Sequence, residues 1–286
     1  MELALGTAQF GMNYGIAGRG EMVPGTEVQF ILKKAWEFGI RAIDTASCYG
    51  DIEKRLVALM GDDAFRIVSK IPALPRDLTS QGVEDHVSGS IQRSRARLGE
   101  RLGTLLFHHG ADLLGHFGGV AWRAATQTLS DSSIQLGASC YAPDEVIDLK
   151  EKHPLQVVQI PGNAFDQRIL TTSRVDDIEI HLRSVFLQGI LLLESNQLVG
   201  VFPKALPMIQ RWRDWCSERI LSPLEGALSV VKGLPNIRYC VIGVQHMTQL
   251  ESIVEAWDSA KAIHAPELAI DNIDIIDPRR WSLAIH

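Results

Sequence analysis

With 286 residues, 46% of them hydrophobic and 22% charged, the chain can bury a substantial core, and its composition excludes a disordered polymer. A net charge of −6 and the absence of any Lys/Arg block give no general attraction for nucleic acid or anionic lipid. The longest apolar stretch, 184–193, contains Gln188 and falls short of the roughly 18 apolar residues that a membrane span requires.

Reading from the N-terminus, short apolar runs bounded by turn residues predict strands at 3–7, 40–44, 66–70, 104–108, 134–139, 157–160, 180–187 and 239–243. Amphipathic segments of helical length lie between them at 26–38, 52–60, 83–98, 117–129, 143–152, 206–219, 223–231 and 248–260. Thr79 or Ser80 can cap the third helix, Pro143 with Asp144 and Glu145 opens the fifth, and Ser222-Pro223-Leu224-Glu225 opens the seventh. The stretch 162–177 shows little helical periodicity and is expected to be a loop with at most a short helix. Eight strands alternating with helices predict an α/β fold, a (β/α)8 TIM barrel, with 1–286 as one domain. The start, Glu2 followed by a strand-like run, has neither the basic region nor the apolar core of a secretory signal, so the cytoplasm is the expected compartment.

In such a barrel the C-terminal strand ends converge, and four ionisable groups stand at or just past three of them. Asp44 and Tyr49 stand in Asp44-Thr45-Ala46-Ser47-Cys48-Tyr49-Gly50, Lys70 follows Arg66-Ile67-Val68-Ser69, and His108 follows Thr104-Leu105-Leu106-Phe107. A phenol has an ordinary pKa of about 10. A neighbouring ammonium would lower it, Asp44 could hold that ammonium, and His108 could hydrogen-bond a carbonyl oxygen. The combination suits carbonyl reduction. Adjacent His108 and His109 point to opposite faces of a strand end, which disfavours a joint metal site. Cys48, Cys140, Cys216 and Cys240 make no CxxC or zinc-ligand spacing and read as reduced packing residues, with no basic residue placed by sequence to activate Cys48. Gly15, Gly18 and Gly20 lack dinucleotide-fingerprint spacing and read as a loop over the barrel mouth, with Met12, Asn13 and Tyr14 near the substrate. Trp212 and Trp215 read as packing residues.

The Asp44–Gly50 segment, the Lys70 strand end and Leu106-Phe107-His108-His109 resemble the Asp-Tyr-Lys-His tetrad of the aldo-keto reductases. The resemblance implies Tyr49 as general acid/base, Lys70 and Asp44 tuning it, and His108 orienting a small-molecule carbonyl substrate. Glu53 resembles the family's Glu on the following helix. Cofactor contacts are implied at Gly6, Thr7 and Asp44, at Ser139 and Gln159 for the nicotinamide carboxamide, at Ser184, Leu187 and Gly189 beneath the pyrophosphate, and at Gly243 and Gln249 for the adenosine phosphate. NADP is the implied cofactor, with NAD as the alternative, because 243–249 lacks a Lys or Arg and only His246 stands in for one. Cys140 replaces the family's usual Asn, and Arg183 stands where many members carry an aromatic. These two departures motivate a second reading, a nucleotide-binding redox-sensing or regulatory subunit with negligible turnover. Asn163, Asp166 and Arg168 lean the substrate toward a sugar-like carbonyl. A monomer is the expected state, with no nucleic-acid or membrane partner.

Overall fold

Parallel strands need crossovers, and the chain supplies them in the predicted order. In the computed structural model, which describes residues 1–15, 22–171, 177–199 and 202–281, eight parallel strands close into a barrel. They are β1 (Glu2–Gly6), β2 (Ala42–Asp44), β3 (Arg66–Ile71), β4 (Leu102–Phe107), β5 (Gln135–Ser139), β6 (Val157–Pro161), β7 (Glu179–Arg183) and β8 (Ile237–Gly243). Each pairs with its neighbour in sequence, and β8 returns to β1 with Gly6 opposite Gly243. Around them lie α1 (Gly25–Glu37), α2 (Ile52–Met60), α3 (Ser80–Leu98), α4 (Gly118–Thr128), α5 (Pro143–Lys152), α6 (Leu206–Glu218), α7 (Pro223–Lys232) and α8 (Met247–Ser259). Between β6 and β7 the described residues hold only the short 3-10 turn Arg168–Thr171, as the lack of periodicity predicts, whereas α6 and α7 both fall between β7 and β8.

The helix starts follow from local chemistry. Thr79 accepts from the Gly82 N–H at 3.1 Å, so α3 begins at Ser80, three residues before its apolar periodicity sets in. Ser222 and Glu225 cap one another's backbone at 3.2 and 2.8 Å, with Pro223 at the first helical position of α7. On α1, Val28, Ile31, Leu32 and Ala35 are buried at helical spacing, and Gly39, at φ +83°, turns the chain toward β2.

Strand alternation sorts the core into two compartments. Leu3, Leu5, Ile43, Ile67, Leu105, Val158 and Ile160 belong to the large outer core under the helices. The intervening residues form two small clusters inside the barrel, Ala4 with Ala42 and Tyr239, and Val68 with Leu106 and Val157. A Cβ on Gly137 would lie 3.1 Å from Leu106 and collide with the Val157 carbonyl, so the absence of a side chain there lets that layer fill. Two residues beyond Ala42, Val68 and Val157, on the same inward face, stand Asp44, Lys70 and Gln159 at the mouth, joined there by Arg183 and Gly243 at the ends of β7 and β8.

One predicted boundary is corrected. The seventh strand was expected over 180–187 but ends at Arg183, because Ser184 turns left-handed at φ +60°, followed by Leu187 (+48°), Gln188 (+54°) and Gly189 (+94°). Gly18 and Gly20 of the expected mouth loop lie outside the described residues. Among the described residues no helix is long and apolar enough to cross a membrane.

Candidate active site

β2 ends on Asp44 and delivers it, buried, into the mouth. One carboxylate oxygen receives the Lys70 ammonium at 2.7 Å and the other receives the Gln159 side-chain N–H at 2.7 Å. Lys70, 1% exposed, donates also to the Thr45 carbonyl at 2.9 Å. A buried carboxylate is thus balanced by one buried cation and a neutral donor, which lowers the cost of burying the charges.

The turn after Asp44 sets Tyr49. Its N–H donates to the Ala46 carbonyl at 3.1 Å, and Gly50 follows at φ +58°. The segment after β1 presses against it. A Cβ on Gly11 would sit 1.9 Å from the Tyr49 carbonyl oxygen, and one on Gly50 would sit 2.1 Å from the Gly11 oxygen. Only a pair of glycines permits that approach. Behind the turn, buried Glu53 of α2 accepts from Ser69 of β3 at 2.8 Å, from Ser94 of α3 at 2.7 Å and from Arg97 at 2.6 Å. The residue beside Lys70 is thereby tied to two helices.

His108, one residue past β4, presents its ring to Tyr49 edge-on at 5.8 Å, and its Nδ1 lies 3.2 Å from the Cys48 sulfur. Burial, helped by Lys70 and His109, depresses the His108 pKa to about 3, so the ring is neutral at physiological pH. Cys48 is exposed as a residue, yet desolvation of its sulfur outweighs the charge of Lys70 and raises the thiol pKa. A protonated thiol can donate to Nδ1, an arrangement that carries the N–H of His108 on Nε2. This neighbour of Cys48 is invisible at sequence level, since sixty positions separate the two. The other cysteines are free and buried. His109 is exposed, edge-on to His108 at 5.5 Å.

Tyr49 departs from expectation in one respect. Burial pushes its phenol well above 10, with Asp44 adding to the rise, and the cation that opposes this is Arg183 rather than Lys70. The Lys70 ammonium is 5.3 Å from the Tyr49 ring centroid and directed at Asp44.

A cavity of about 390 Å³ runs from this cluster to the N-terminus of α8. Of the expected site residues it is lined by Gly6, Thr7, Asp44, Tyr49, Gln159, Ser184, Gly189, Gly243 and Gln249. Lys70, His108, Ser139 and Leu187 are not on its wall. Lys70 lies behind Asp44, His108 beside Cys48, while Ser139 and Leu187 are buried. Gln9, Val185, Gln188, Leu224, Gln245 and Ser252 line it without having been read from sequence, whereas Tyr14 does so as expected.

The wall fits a dinucleotide. A Cβ on Gly243 would lie 2.6 Å from the Gln9 side chain and one on Gly6 3.2 Å from the Ile242 oxygen, so two adjacent strand ends are kept flat. In the left-handed run Leu187–Gln188–Gly189 the Leu187 and Gly189 N–H groups donate to the Ser184 and Phe186 carbonyls at 2.8 and 2.9 Å, so this turn is held by its own backbone, with Gln188 and Gly189 on the cavity wall. Gln159, on the wall with its side-chain N–H on Asp44, could hold a carboxamide through its side-chain oxygen, whereas Ser139 is buried off the wall.

Three expectations fare differently. The Cys140 thiol faces Gly110 and the core, and burial raises its pKa well above the ordinary range; its carbonyl accepts from Arg183 at 3.1 Å. Asn163, Asp166 and Arg168 do not line the cavity. Asn163 accepts from the Phe165 and Asp166 N–H groups, and Asp166 pairs with Arg168 at 2.7 Å, so they shape a loop and no longer support a sugar-like substrate. Trp212 is buried, stacked on Trp215 at 5.6 Å, and donates to the Leu191 carbonyl at 3.0 Å. Among the described residues no group of three His, Cys, Asp or Glu could hold a metal ion.

The segment carrying Asp44, Tyr49, Lys70 and His108 is also the segment that comparison with known families picks out. Residues 2–113 match the aldo/keto reductase family. No curated protein matches the chain by sequence. Solved structures do match by shape. An aldo-keto reductase from Bacillus halodurans, in its holo form, superposes with a TM-score of 0.74 at 14% identity over 98% of this chain and 95% of its own. A Pseudomonas aeruginosa protein assigned to the aldo-keto reductases gives 0.64 at 18% identity over 89% of this chain and 88% of its own. These likenesses establish the shared barrel, and the family match covers the four strand-end residues.

Proposed function

We propose that this chain is an oxidoreductase of the aldo-keto reductase type that reversibly reduces an aldehyde or ketone with a nicotinamide dinucleotide. The observation that carries the reading is Tyr49 on the wall at one end of the cavity, with His108 edge-on to it and the Asp44–Lys70 pair behind. A bound nicotinamide supplies the hydride. Tyr49 gives its proton to the carbonyl oxygen as charge develops there. A buried phenol with a raised pKa is poorly acidic at rest, so its proton transfer needs the positive field of Arg183 and Lys70 around the nascent alkoxide. His108, neutral and bearing its proton on Nε2, donates a hydrogen bond to the same oxygen.

The reading favours NADH over NADPH. At the start of α8 the Gln245 and His246 N–H groups donate to the Gln249 side-chain oxygen at 2.7 and 3.3 Å, and the Met247 N–H donates to the Glu27 carboxylate at 2.8 Å. These donors would otherwise suit a phosphate. His246, the expected stand-in for a cation, lies 3.9 Å from Glu27. A second phosphate here would meet occupied donors and a like charge. A ribose hydroxyl could instead donate to Glu27.

Titration of the protein with NADH and NADPH, followed by quenching of tryptophan fluorescence, tests the cofactor step, because Trp212 reports on the loop through Leu191. NADH should bind at least about tenfold more tightly, a difference of roughly 1.4 kcal/mol; equal affinities would refute the preference, and no binding of either would refute the reading. Tyr49→Phe should retain NADH and lose turnover by orders of magnitude. Unchanged turnover in that variant would remove Tyr49 from the chemistry.

A further inference from the structure

The cations at the barrel mouth are not equivalent. Lys70 is paired with Asp44, Arg168 with Asp166, and Arg279 with Asp277 at 2.6 Å. Arg183 has no carboxylate within ion-pair distance among the described residues. Its contacts there are neutral: the Cys140 carbonyl at 3.1 Å, the Ser184 hydroxyl at 3.5 Å, and the face of Tyr141, whose ring centroid is 4.3 Å from the guanidinium carbon. The guanidinium of Arg279 lies 3.4 Å from the same ring, so Tyr141 is clamped and in turn steadies Arg183.

Arg183 is also the one Lys or Arg among the described residues that line the cavity, and Asp44, neutralised by Lys70, is the one carboxylate. A chain of net charge −6 thus holds on the cavity wall a single positive charge with no ion-pair partner among the described residues, Asp277 acting on it only from beyond ion-pair distance. That charge sits at the reacting end. It shares the inward face of β7 with His181, which is buried two residues deeper, and it acts on Tyr49, Tyr14 and His108. A guanidinium carries five N–H donors in a planar fork, and the two contacts above leave donors for a planar, two-oxygen anion.

Building on the proposed reductase reading, we infer that Arg183 receives a carboxylate on the substrate, so that the preferred substrates are small oxo acids: aldehydes or ketones bearing a carboxylate within a few carbons of the reacting carbonyl. The carbonyl oxygen then lies between Tyr49 and His108 while the carboxylate is held by the guanidinium, a two-point attachment that fixes which face of the carbonyl is presented. Uncharged aldehydes of the same length lack the second point.

The test compares 2-oxobutanoate and 4-oxobutanoate with their amides, using NADH, in wild type, Arg183→Gln and Arg183→Lys. Wild type should favour at least one acid over its amide by about 30-fold or more in kcat/KM, the lower end of what a hydrogen-bonded charge pair contributes. That acid-to-amide ratio should fall to near one in Arg183→Gln and be partly restored in Arg183→Lys. Because the ratio is taken within each variant, a general loss of activity cancels. Calorimetric titration with 2-hydroxybutanoate and succinate supplies a readout that needs no turnover: wild type should bind at least one of them and Arg183→Gln should bind neither. Amides reduced as well as the acids by wild type, an unchanged ratio in Arg183→Gln, or no binding of either carboxylate to wild type would overturn the inference. Weakened NADH binding in Arg183→Gln with an unchanged ratio would overturn it too, by assigning Arg183 to the cofactor. Carboxylate binding that depends on Arg183 in a protein that reduces nothing would uphold the anion site and sink the reductase reading alone.

Discussion

Replacing Lys70 by Gln removes the cation that balances Asp44 while keeping a donor of similar length. The pair is 2.7 Å apart with side-chain exposures of 1% and 8%, so its attraction at an effective dielectric of 20 is about 6 kcal/mol, against a desolvation cost of several kcal/mol per ion. Breaking one side leaves the other charge buried and uncompensated, and each single variant, Lys70→Gln or Asp44→Asn, should lose about 3–5 kcal/mol. That is a large fraction of the roughly 5–15 kcal/mol typical of a folded domain. The double variant restores a neutral network: the amide introduced at position 44 can accept from Gln159 and donate to the amide introduced at position 70, which can donate in turn to the Thr45 carbonyl. It should recover at least about 2 kcal/mol of the summed single losses. Urea unfolding followed by tryptophan fluorescence, with the denaturant slope held constant across variants, measures all three. Losses that add to within about 0.5 kcal/mol, or single losses below about 1 kcal/mol, would refute the account of the pair as a mutually dependent buried unit. The double variant should be folded yet slow in carbonyl reduction, which separates the role of the ammonium in stability from its role in the reaction.

Further outcomes follow from the same geometry. Since His108 is neutral when folded down to about pH 3 but protonates near 6.5 when unfolded, its contribution is fully present above 6.5 and is lost on acidification, by up to about 1.4 kcal/mol per pH unit through that window; His108→Asn should flatten the slope, and an unchanged slope would contradict the buried neutral ring. Cys48→Ala should reduce kcat by about 3–10-fold without altering NADH affinity, an amount in keeping with one neutral hydrogen bond, whereas Cys48→Ser, which retains a donor, should stay close to wild type; equal loss in both would remove the tautomer argument. Gly11→Ala forces the Tyr49 carbonyl away and should lower turnover by about 100-fold with the circular dichroism of the barrel retained, while wild-type turnover would show that the two turns are not in register.

Periodicity and turn chemistry locate most of this molecule because each strand end is marked locally. Asp44, Lys70, Gln159 and Arg183 share the inward parity of their strands, and Thr79, Pro143 and Ser222 announce their helices. The stretch after Arg183 misleads for a physical reason. Ser184-Val185-Phe186-Leu187 looks extended, but Ser184, Leu187 and Gln188 are held at positive φ, Ser184 with the Asn163 side chain on its carbonyl and Leu187 by burial. Nor could the sequence pair Cys48 with His108, or bring Glu27 to the start of α8 from 220 positions away. Such contacts arise only when the barrel closes. Arg183 shows the same limit, since its identity is plain in the chain but its want of a counter-ion emerges from the arrangement of Asp44, Asp166 and Asp277 on other cations.

The Glu53 junction bears on whether this chemistry could be moved to another scaffold. A barrel given only the heptapeptide Asp44–Gly50 would acquire the reacting phenol without its foundations, because Glu53 reaches Ser69, Ser94 and Arg97 on two further elements and the turn leans on Gly11 from a third. The smallest transplantable unit for the turn that carries Tyr49 is therefore a discontinuous patch drawn from residues 11–97, and His108 past β4, Gln159 of β6 and Arg183 of β7 would have to accompany it to rebuild the whole cluster.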